Sequence, residues 1–114
     1  MWTAEQLRAI NEDGNLLVSA AAGAGKTAVM TERIARIIAS GTDVSEILVV
    51  TFTNPAAAEM KQRIERRLSE LAESTDDTKL KMHLHDSAIN ISTANISTIH
   101  SFCGNVLRRN CHIV

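Results

Sequence analysis

The stretch that decides the fold is Leu16-Leu17-Val18-Ser19-Ala20-Ala21-Ala22-Gly23-Ala24-Gly25-Lys26-Thr27. It begins with an apolar run typical of a buried strand, continues as a turn of small residues, and leads into a helical pattern. Backbone N–H groups in such a turn face inward as an anion-binding nest, and the following helix directs the positive end of its dipole to the same place. The stretch therefore predicts a phosphate-binding loop.

Lys26 and Thr27 carry the chemistry expected of this loop. In the general pattern G-x-x-x-x-G-K-[ST], the lysine reaches the β- and γ-phosphates and the hydroxyl residue binds Mg²⁺. This chain has Ala20 at the first glycine position of the pattern, whereas Gly23 and Gly25 are present. The alternative interpretation is a strand-to-helix turn of small residues whose lysine is merely solvated.

The composition of the 114-residue chain indicates one modest globular domain, with 45% hydrophobic and 22% charged residues. A formal net charge of −1 argues against a protein that binds nucleic acid through bulk positive charge. Any nucleic-acid contact must therefore be local. We find no signal peptide, transit peptide or apolar run of transmembrane length, and we expect a cytoplasmic protein without membrane contact.

The cysteines and histidines do not favour a metal site. Cys103 and Cys111 lack the C-x-x-C spacing of zinc and redox motifs, so free buried thiols are expected. A site assembled from cysteines and histidines is the less favoured alternative, since no pair has the spacing of a known ligand motif. The four histidines are His83, His85, His100 and His112.

The residues before the loop predict a helix from Thr3 to about Asp13, ended by Gly14. Thr3 and Gln6 match a capping box, in which the glutamine side chain returns to the N-cap amide. The same amide group could instead offer one donor and one acceptor to the edge of an adenine base. The spacing alone favours the cap.

The residues after the loop predict a helix over 26–40, closed by Gly41. Arg33 and Arg36 are placed on its polar side and expected to be solvated. The run Ile47–Val50 predicts a strand buried on both faces of a parallel sheet. The apolar face of the helix comprises Val29, Met30, Ile34, Ile37 and Ile38.

Asn54 and Pro55 predict the N-cap and first residue of a long helix that ends near Ala72. Residues 74–77 form a polar break. Residues 79–94 fit both a helix and a strand, and a helix to about residue 89 is favoured. Residues 95–99 predict a further strand. Residues 100–110 predict a last helix, with Phe102, Val106 and Leu107 directed inward.

Four separated stretches resemble the N-terminal end of a superfamily 1 DNA helicase of the UvrD type, and within that family the helicase/nuclease subunits most closely. Their order and spacing match across nearly the whole chain, and Ala20 is what that family usually shows. The resemblance implies an α/β fold: a partial RecA-like P-loop NTPase domain, with parallel strands and helices on both faces. The stretches are Trp2 to Gln6, Ala20 to Thr27, Thr51 to Met60 and Ile96 to Cys103.

The resemblance implies that ATP and Mg²⁺ are the cofactors. Gln6 would then contact adenine, which reverses the preference from spacing. Lys26 and Thr27 would carry the catalytic chemistry, and Thr27 would bind the Mg²⁺. The implied cofactor-binding residues are Gln6, Ala22, Gly23, Ala24, Gly25, Lys26, Thr27 and Ala28.

The resemblance also implies two motifs that contact single-stranded DNA, in which polar groups meet phosphates and ring faces meet bases. Ordinary core packing of the two phenylalanines is the alternative. The implied partners are single-stranded and duplex DNA, together with a second helicase/nuclease subunit. The first motif comprises Phe52, Thr53 and Asn54, and the second comprises Thr98, His100, Ser101 and Phe102.

No apolar run in the chain ends in the Asp-Glu pair that supplies the metal carboxylate and positions water in such enzymes. We therefore expect residues 1–114 to be an N-terminal fragment of the first motor domain that stops before the Walker B motif. It would bind nucleotide weakly and not hydrolyse it. The parent would translocate on single-stranded DNA and unwind duplex DNA in recombinational repair. The alternatives are a small P-loop kinase or GTPase, and a non-enzymatic P-loop-fold binding module with a vestigial site.

Overall fold

A computed structural model describes residues 2–15 and 25–110 of the chain. The predicted strand at residues 16–18 and most of the predicted phosphate loop lie outside the described residues. The helices are α1 (Ala4–Asn11), α2 (Lys26–Ala39), α3 (Asn54–Ser74), α4 (Thr78–Asn90) and α5 (Ile99–Asn110). The strands are β1 (Leu48–Thr51) and β2 (Asn95–Thr98), and short 3₁₀ helices span Val44–Glu46 and Ile91–Thr93.

The two strands pair in parallel, as the sequence predicts, with Leu48 opposite Asn95 and Thr51 opposite Thr98. The chain runs from β1 through α3 and α4 to β2, since parallel neighbours need a long crossover connection. The described part is thus a mixed α/β structure in which helices predominate.

The core lies where α2, α3 and α4 pack together and against one face of the sheet. Side chains that recur at helical spacing on α3 form one wall of it. Val49 of β1 and Ile96 of β2 belong to the same core. Its largest fully buried side chains are Ile38, Ile64, Leu68 and Leu84.

The prediction that β1 is buried on both faces is wrong for the described residues. Successive side chains of a strand point to opposite faces, so Leu48 and Val50 lie away from Val49. They are 50% and 44% exposed, whereas Val49 is buried. An apolar run by itself does not distinguish a strand covered on one face from a strand covered on both.

Several predicted helix ends are confirmed and two need correction. The capping box of Thr3 and Gln6 is present, and α2 ends at Ala39 before Gly41, whose φ is 112°. The first helix, however, ends at Asn11 rather than near Asp13. The N-cap of α3 is Thr53 and not Asn54, because the Thr53 hydroxyl oxygen accepts from the backbone N–H of Ala56 at 3.2 Å.

The last helix forms where the sequence predicts it, but it is less buried than expected. Phe102 is half-buried, whereas Val106 and Leu107 are exposed. Cys103 is exposed as well, contrary to the expectation of a buried thiol, and Cys111 lies outside the described residues. None of the helices in the described ranges is long and apolar enough to span a membrane.

Candidate functional site

The first half of the candidate site lies at the N-terminal end of α2. Gly25 precedes this helix with φ 81° and ψ 23°, a left-handed conformation that glycine adopts readily. Lys26 and Thr27 form the exposed first turn, and Ala28 is half-buried behind them. Ala22, Gly23 and Ala24 belong to the predicted loop but lie outside the described residues.

The glutamine predicted to contact adenine lies beside this helix start. A Cβ atom at Gly25 would lie 3.4 Å from Nε2 of Gln6. Oε1 of Gln6 accepts the backbone N–H of Thr3 at 2.8 Å, and the Gln6 backbone N–H donates to the Thr3 hydroxyl at 3.1 Å. The capping role and a binding role are therefore compatible, because the cap uses only one end of the side-chain amide.

The first turns of α2 are held by internal and tertiary contacts. The hydroxyl of Thr31 donates to the carbonyl of Thr27 at 2.8 Å and lies 3.6 Å from the sulfur of Met60 on α3. Val29 packs in a small apolar cluster with residues of α1. The helix start is thus fixed relative to both α1 and α3.

The two arginines predicted to be solvated are instead structural. Nη1 of Arg33 donates to the backbone carbonyls of Ala9 and Glu12, each at 2.8 Å. Arg36 donates to Asn11 Oδ1 at 2.9 Å and also bonds the carboxylate of an α2 neighbour. Sequence reasoning missed this role because both arginines reach residues more than 20 positions away.

The carboxylate that Arg36 contacts is Glu32, which also pairs with Arg67 of α3. Glu32 Oε2 lies 2.6 Å from Nε of Arg67, and Glu32 Oε1 lies 2.9 Å from Nε of Arg36. The hydrogen bond from Arg67 is the largest cause of a lowered pKa of Glu32, with burial acting in the opposite direction. The same bond raises the pKa of Arg67.

A groove of about 440 Å³ opens beside this ion pair. Most of its wall is charged, and among the described residues Ala28 is the one that it shares with the predicted cofactor set. The lining residues are Trp2, Ala28, Thr31, Glu32, Arg63, Arg66, Arg67 and Glu70. Of the part of the chain that the structure describes, neither Lys26 nor Thr27 lines this groove.

The second half of the candidate site lies at the carboxyl edge of the two-stranded sheet. Thr51 and Thr98 end their strands side by side. The first predicted DNA motif follows Thr51 directly, and the second begins at Thr98. Parallel pairing thus brings together two segments that are more than 40 positions apart in the sequence.

The aromatic side chain of the first motif is almost fully exposed. Phe52 is 94% exposed, so it is not packed in the core of the described structure. Thr53 and Asn54 are exposed at the start of α3. The ring of Phe52 and the polar side chains of Thr53 and Asn54 are therefore all exposed at the N-terminus of α3.

The second motif combines buried and exposed groups. Thr98 is buried, and its hydroxyl oxygen accepts the backbone N–H of Ser101 at 3.1 Å while donating to the Ser101 hydroxyl at 2.9 Å. This is the geometry of an N-cap for α5. His100 is exposed and Phe102 is half-buried. The hydroxyl of Thr98 is thus already engaged, whereas His100 is accessible.

The histidine, cysteine and acidic side chains of residues 2–15 and 25–110 form no cluster of three that could hold a metal ion. The exposed hydroxyl of Thr27, next to the exposed ammonium of Lys26, is chemically suited to a magnesium-bound phosphate.

Comparison with known proteins places the chain in a class of helicase domains. The family model described as the UvrD/REP helicase N-terminal domain matches residues 2–114, and the chain belongs to this family. The predicted resemblance to a UvrD-type helicase is confirmed.

The chain is also similar to ATP-dependent helicase/nuclease subunits of the type called AddA. It is 46% identical over 114 residues to the one from Lactobacillus gasseri, with 99% of the chain aligned. It is 49% identical over 115 residues to the one from Alkaliphilus metalliredigens, and 48% identical over 115 residues to the one from Clostridium botulinum. The aligned shares of the chain in these two cases are 99% and 97%. The chain spans about 9% of the length of each of these relatives.

Proposed function

We propose that the chain is the N-terminal, ATP-binding part of the first motor domain of an ATP-dependent DNA helicase/nuclease subunit. The single observation that carries this proposal is the close approach of the Gln6 side chain to Gly25 at the start of α2, next to exposed Lys26 and Thr27. Groups suited to a base, to phosphates and to a metal thus lie close together where α1 meets the start of α2. Membership of the helicase family and the similarity to the AddA proteins support the same assignment.

In this proposal the chain adopts part of a RecA-like P-loop fold, and ATP–Mg²⁺ binds at the start of α2. The loop residues Ala22, Gly23 and Ala24 would supply backbone N–H groups, as phosphate loops do. Lys26 would neutralise phosphate charge, and Thr27 would bind the Mg²⁺. ATP supplies the phosphoryl group whose transfer drives such motors, and the residues of this chain bind and orient it.

The carboxyl edge of the sheet is proposed to contact single-stranded DNA. Exposed Phe52 offers a ring face on which a base can stack, which is a common mode of sequence-tolerant binding. The N-termini of α3 and α5 lie at this edge and would attract backbone phosphates. The residues proposed to contact DNA are Phe52, Thr53, Asn54, Thr98, His100, Ser101 and Phe102.

The chain by itself is proposed to bind nucleotide without hydrolysing it. Phosphoryl transfer needs a carboxylate that holds the metal and a group that positions water. In the described structure β1 is followed by Phe52 and Thr53, and β2 is followed directly by α5, so neither strand end supplies such a carboxylate. The complete motor would translocate on single-stranded DNA and unwind duplex ends in recombinational repair, in the cytoplasm and with a second helicase/nuclease subunit.

The proposal is tested by calorimetric titration of the chain with ATP and ADP in Mg²⁺, using wild type, Lys26→Ala and the control Lys79→Ala, which changes an exposed lysine of α4. We expect Lys26→Ala alone to weaken binding, by at least about tenfold, because a charged contact to phosphate contributes more than about 1.4 kcal/mol. We expect no phosphate release from ATP by any of the three proteins. Equal binding by wild type and Lys26→Ala would refute the site, and rapid hydrolysis abolished by Lys26→Ala would refute the claim of inactivity. Failure of wild type to bind would leave the vestigial binding module as the better description.

A further inference from the structure

Arg33 holds the C-terminal end of α1 from the neighbouring helix. Its Nη1 atom donates to the carbonyls of Ala9 and Glu12 at 2.8 Å, and the carbonyl of Ile10 lies at 3.4 Å. The last carbonyl groups of a helix have no partner within the helix, and the negative end of its dipole attracts a cation. A single guanidinium thus binds two carbonyl groups of the last turn of α1 and the carbonyl group of its C-cap.

The location of α1 depends on such tertiary contacts. The helix has eight residues, and a helix of this length is not stable alone in water. Ala9 and Ile10 pack against Val29 of α2, with Trp2 at the edge of this cluster. Apolar contacts of this kind are not directional, whereas the hydrogen bonds of Arg33, together with the one from Arg36 to Asn11 Oδ1, fix one register of α1 along α2.

Gln6 lies on α1 one turn before the carbonyls that Arg33 binds. Its Oε1 atom is used by the capping box, so Nε2 is the end of the amide that faces the helix start at Gly25. A shift of α1 by about 1 Å would move this amide relative to a base bound there, and hydrogen-bond selectivity is sensitive to displacements of that size. The register that Arg33 fixes is therefore also the register of the amide.

We propose that Arg33 is a positioning residue that sets the selectivity of the site for adenine nucleotides. It acts by holding α1, and with it the amide of Gln6, in one register against the start of α2. This inference rests on the proposed nucleotide site. It differs from that proposal in predicting that a residue remote from the phosphates controls which base is accepted.

A purely structural role for Arg33 has a different signature. If the arginine only stabilised the fold, its loss would weaken the binding of ATP, GTP and inorganic tripolyphosphate by the same factor, because all three bind the same folded state. If it positions Gln6, its loss weakens the binding of ATP and leaves the affinities for GTP and tripolyphosphate almost unchanged. The ratio of the dissociation constants for GTP and ATP therefore separates the two roles.

The experiment measures these three ligands by calorimetry in Mg²⁺ with wild type and with Arg33→Met, which keeps an apolar stem and removes the donors. Gln6→Ala gives the reference for a lost adenine contact. Arg66→Met is the matched control, since Arg66 is an exposed arginine on α3. We expect the dissociation constant for GTP divided by that for ATP to fall by about tenfold, equivalent to about 1.4 kcal/mol, in Arg33→Met and Gln6→Ala. The same ratio should be unchanged in Arg66→Met.

An equal loss of affinity for all three ligands in Arg33→Met would overturn the inference while leaving the nucleotide site intact. Wild type that binds ATP and GTP equally would overturn it as well. Wild type that binds no nucleotide would refute the proposed function, and the inference with it. If circular dichroism shows that Arg33→Met does not fold, Arg33→Gln decides the question: its polar side chain is too short to bring a donor to the position of Nη1, the one nitrogen that contacts the carbonyls, and unchanged selectivity in that variant would overturn the inference.

Discussion

Glu32 of α2 and Arg67 of α3 form an ion pair in which the glutamate side chain is only 4% exposed and Oε2 lies 2.6 Å from Nε. Arg36 binds the other carboxylate oxygen from the same helix as Glu32. Through this carboxylate, the helix that begins at the candidate phosphate site is tied to the helix that begins at the candidate DNA edge. The pair thus joins the two halves of the site mechanically.

Replacing Glu32 by glutamine is expected to destabilise the chain by about 2 kcal/mol at neutral pH. The change removes the anion that Arg36 and Arg67 share, although both keep about a third of their surface exposed and so retain some hydration, and Arg67 keeps its partly exposed pair with Glu70. Urea denaturation measures the difference. The control is Glu70→Gln, which removes a partly exposed pair with Arg67 at 3.3 Å and should change stability by less than about 0.5 kcal/mol.

The contribution of Glu32 to stability should also depend on pH in a defined direction. Its pKa in the folded chain is lowered from 4.5, chiefly by the hydrogen bond from Arg67. The stabilisation is therefore complete above about pH 4.5 and is lost as the pH falls through the lowered pKa, because the unfolded chain takes up the proton first. The gap in unfolding free energy between wild type and Glu32→Gln should be constant from pH 7 to about pH 5. It should narrow in more acid solution, and a gap that widened there would contradict this assignment.

Gly25→Ala is expected to weaken nucleotide binding and to destabilise the start of α2. A φ of 81° costs an alanine about 1 kcal/mol, and its Cβ would contact Nε2 of Gln6 at 3.4 Å. The matched control is Gly104→Ala, inside α5, where a Cβ would meet only the flexible end of Arg108 at 3.6 Å. The control should be stabilised by about 0.5–1 kcal/mol, because alanine favours the helix. Thermal unfolding and ATP titration of both variants test this difference. Equal changes in unfolding temperature and ATP affinity in the two variants would contradict the prediction.

Local signals in the sequence predicted local structure well. The capping box of Thr3 and Gln6 acts over three residues, and the structure confirms it. The parallel strands and the order of the helices followed from apolar periodicity in the same way. The sequence predicts Asn54 as the N-cap of α3, one residue after the observed Thr53, because both residues are good caps and proline is tolerated at either of the first helical positions.

Contacts between distant residues could not be predicted from the sequence. Arg33 and Arg67 find their partners 24 and 35 positions away, so no spacing rule identifies them. Only the spacing of Glu32 and Arg36, four residues apart on one helix, was a readable signal. The inward orientation predicted for Leu107 failed for a related reason: a helical stripe shows which side chains share a face, and only tertiary structure shows whether anything covers that face.

Phe52→Ala is expected to weaken binding of single-stranded DNA without changing the stability of the chain. The side chain is 94% exposed, so its removal should alter the unfolding free energy by less than about 0.5 kcal/mol. Loss of one stacked base should raise the dissociation constant for a labelled oligothymidine by about tenfold, within the range of about 1–3 kcal/mol known for such contacts. Fluorescence anisotropy at low salt measures this, since the net charge of −1 leaves little nonspecific attraction.

The control for this prediction is Ile89→Ala, which removes another exposed apolar side chain, 73% accessible, from the C-terminal end of α4. That helix end leads through the 3₁₀ helix at Ile91–Thr93 to the start of β2, whereas Phe52 directly follows the carboxyl end of β1. Ile89→Ala should therefore bind the oligonucleotide like wild type. Equal loss of affinity in both variants would show that DNA adheres to exposed apolar surface in general. That result would refute the carboxyl edge of the sheet as the DNA interface.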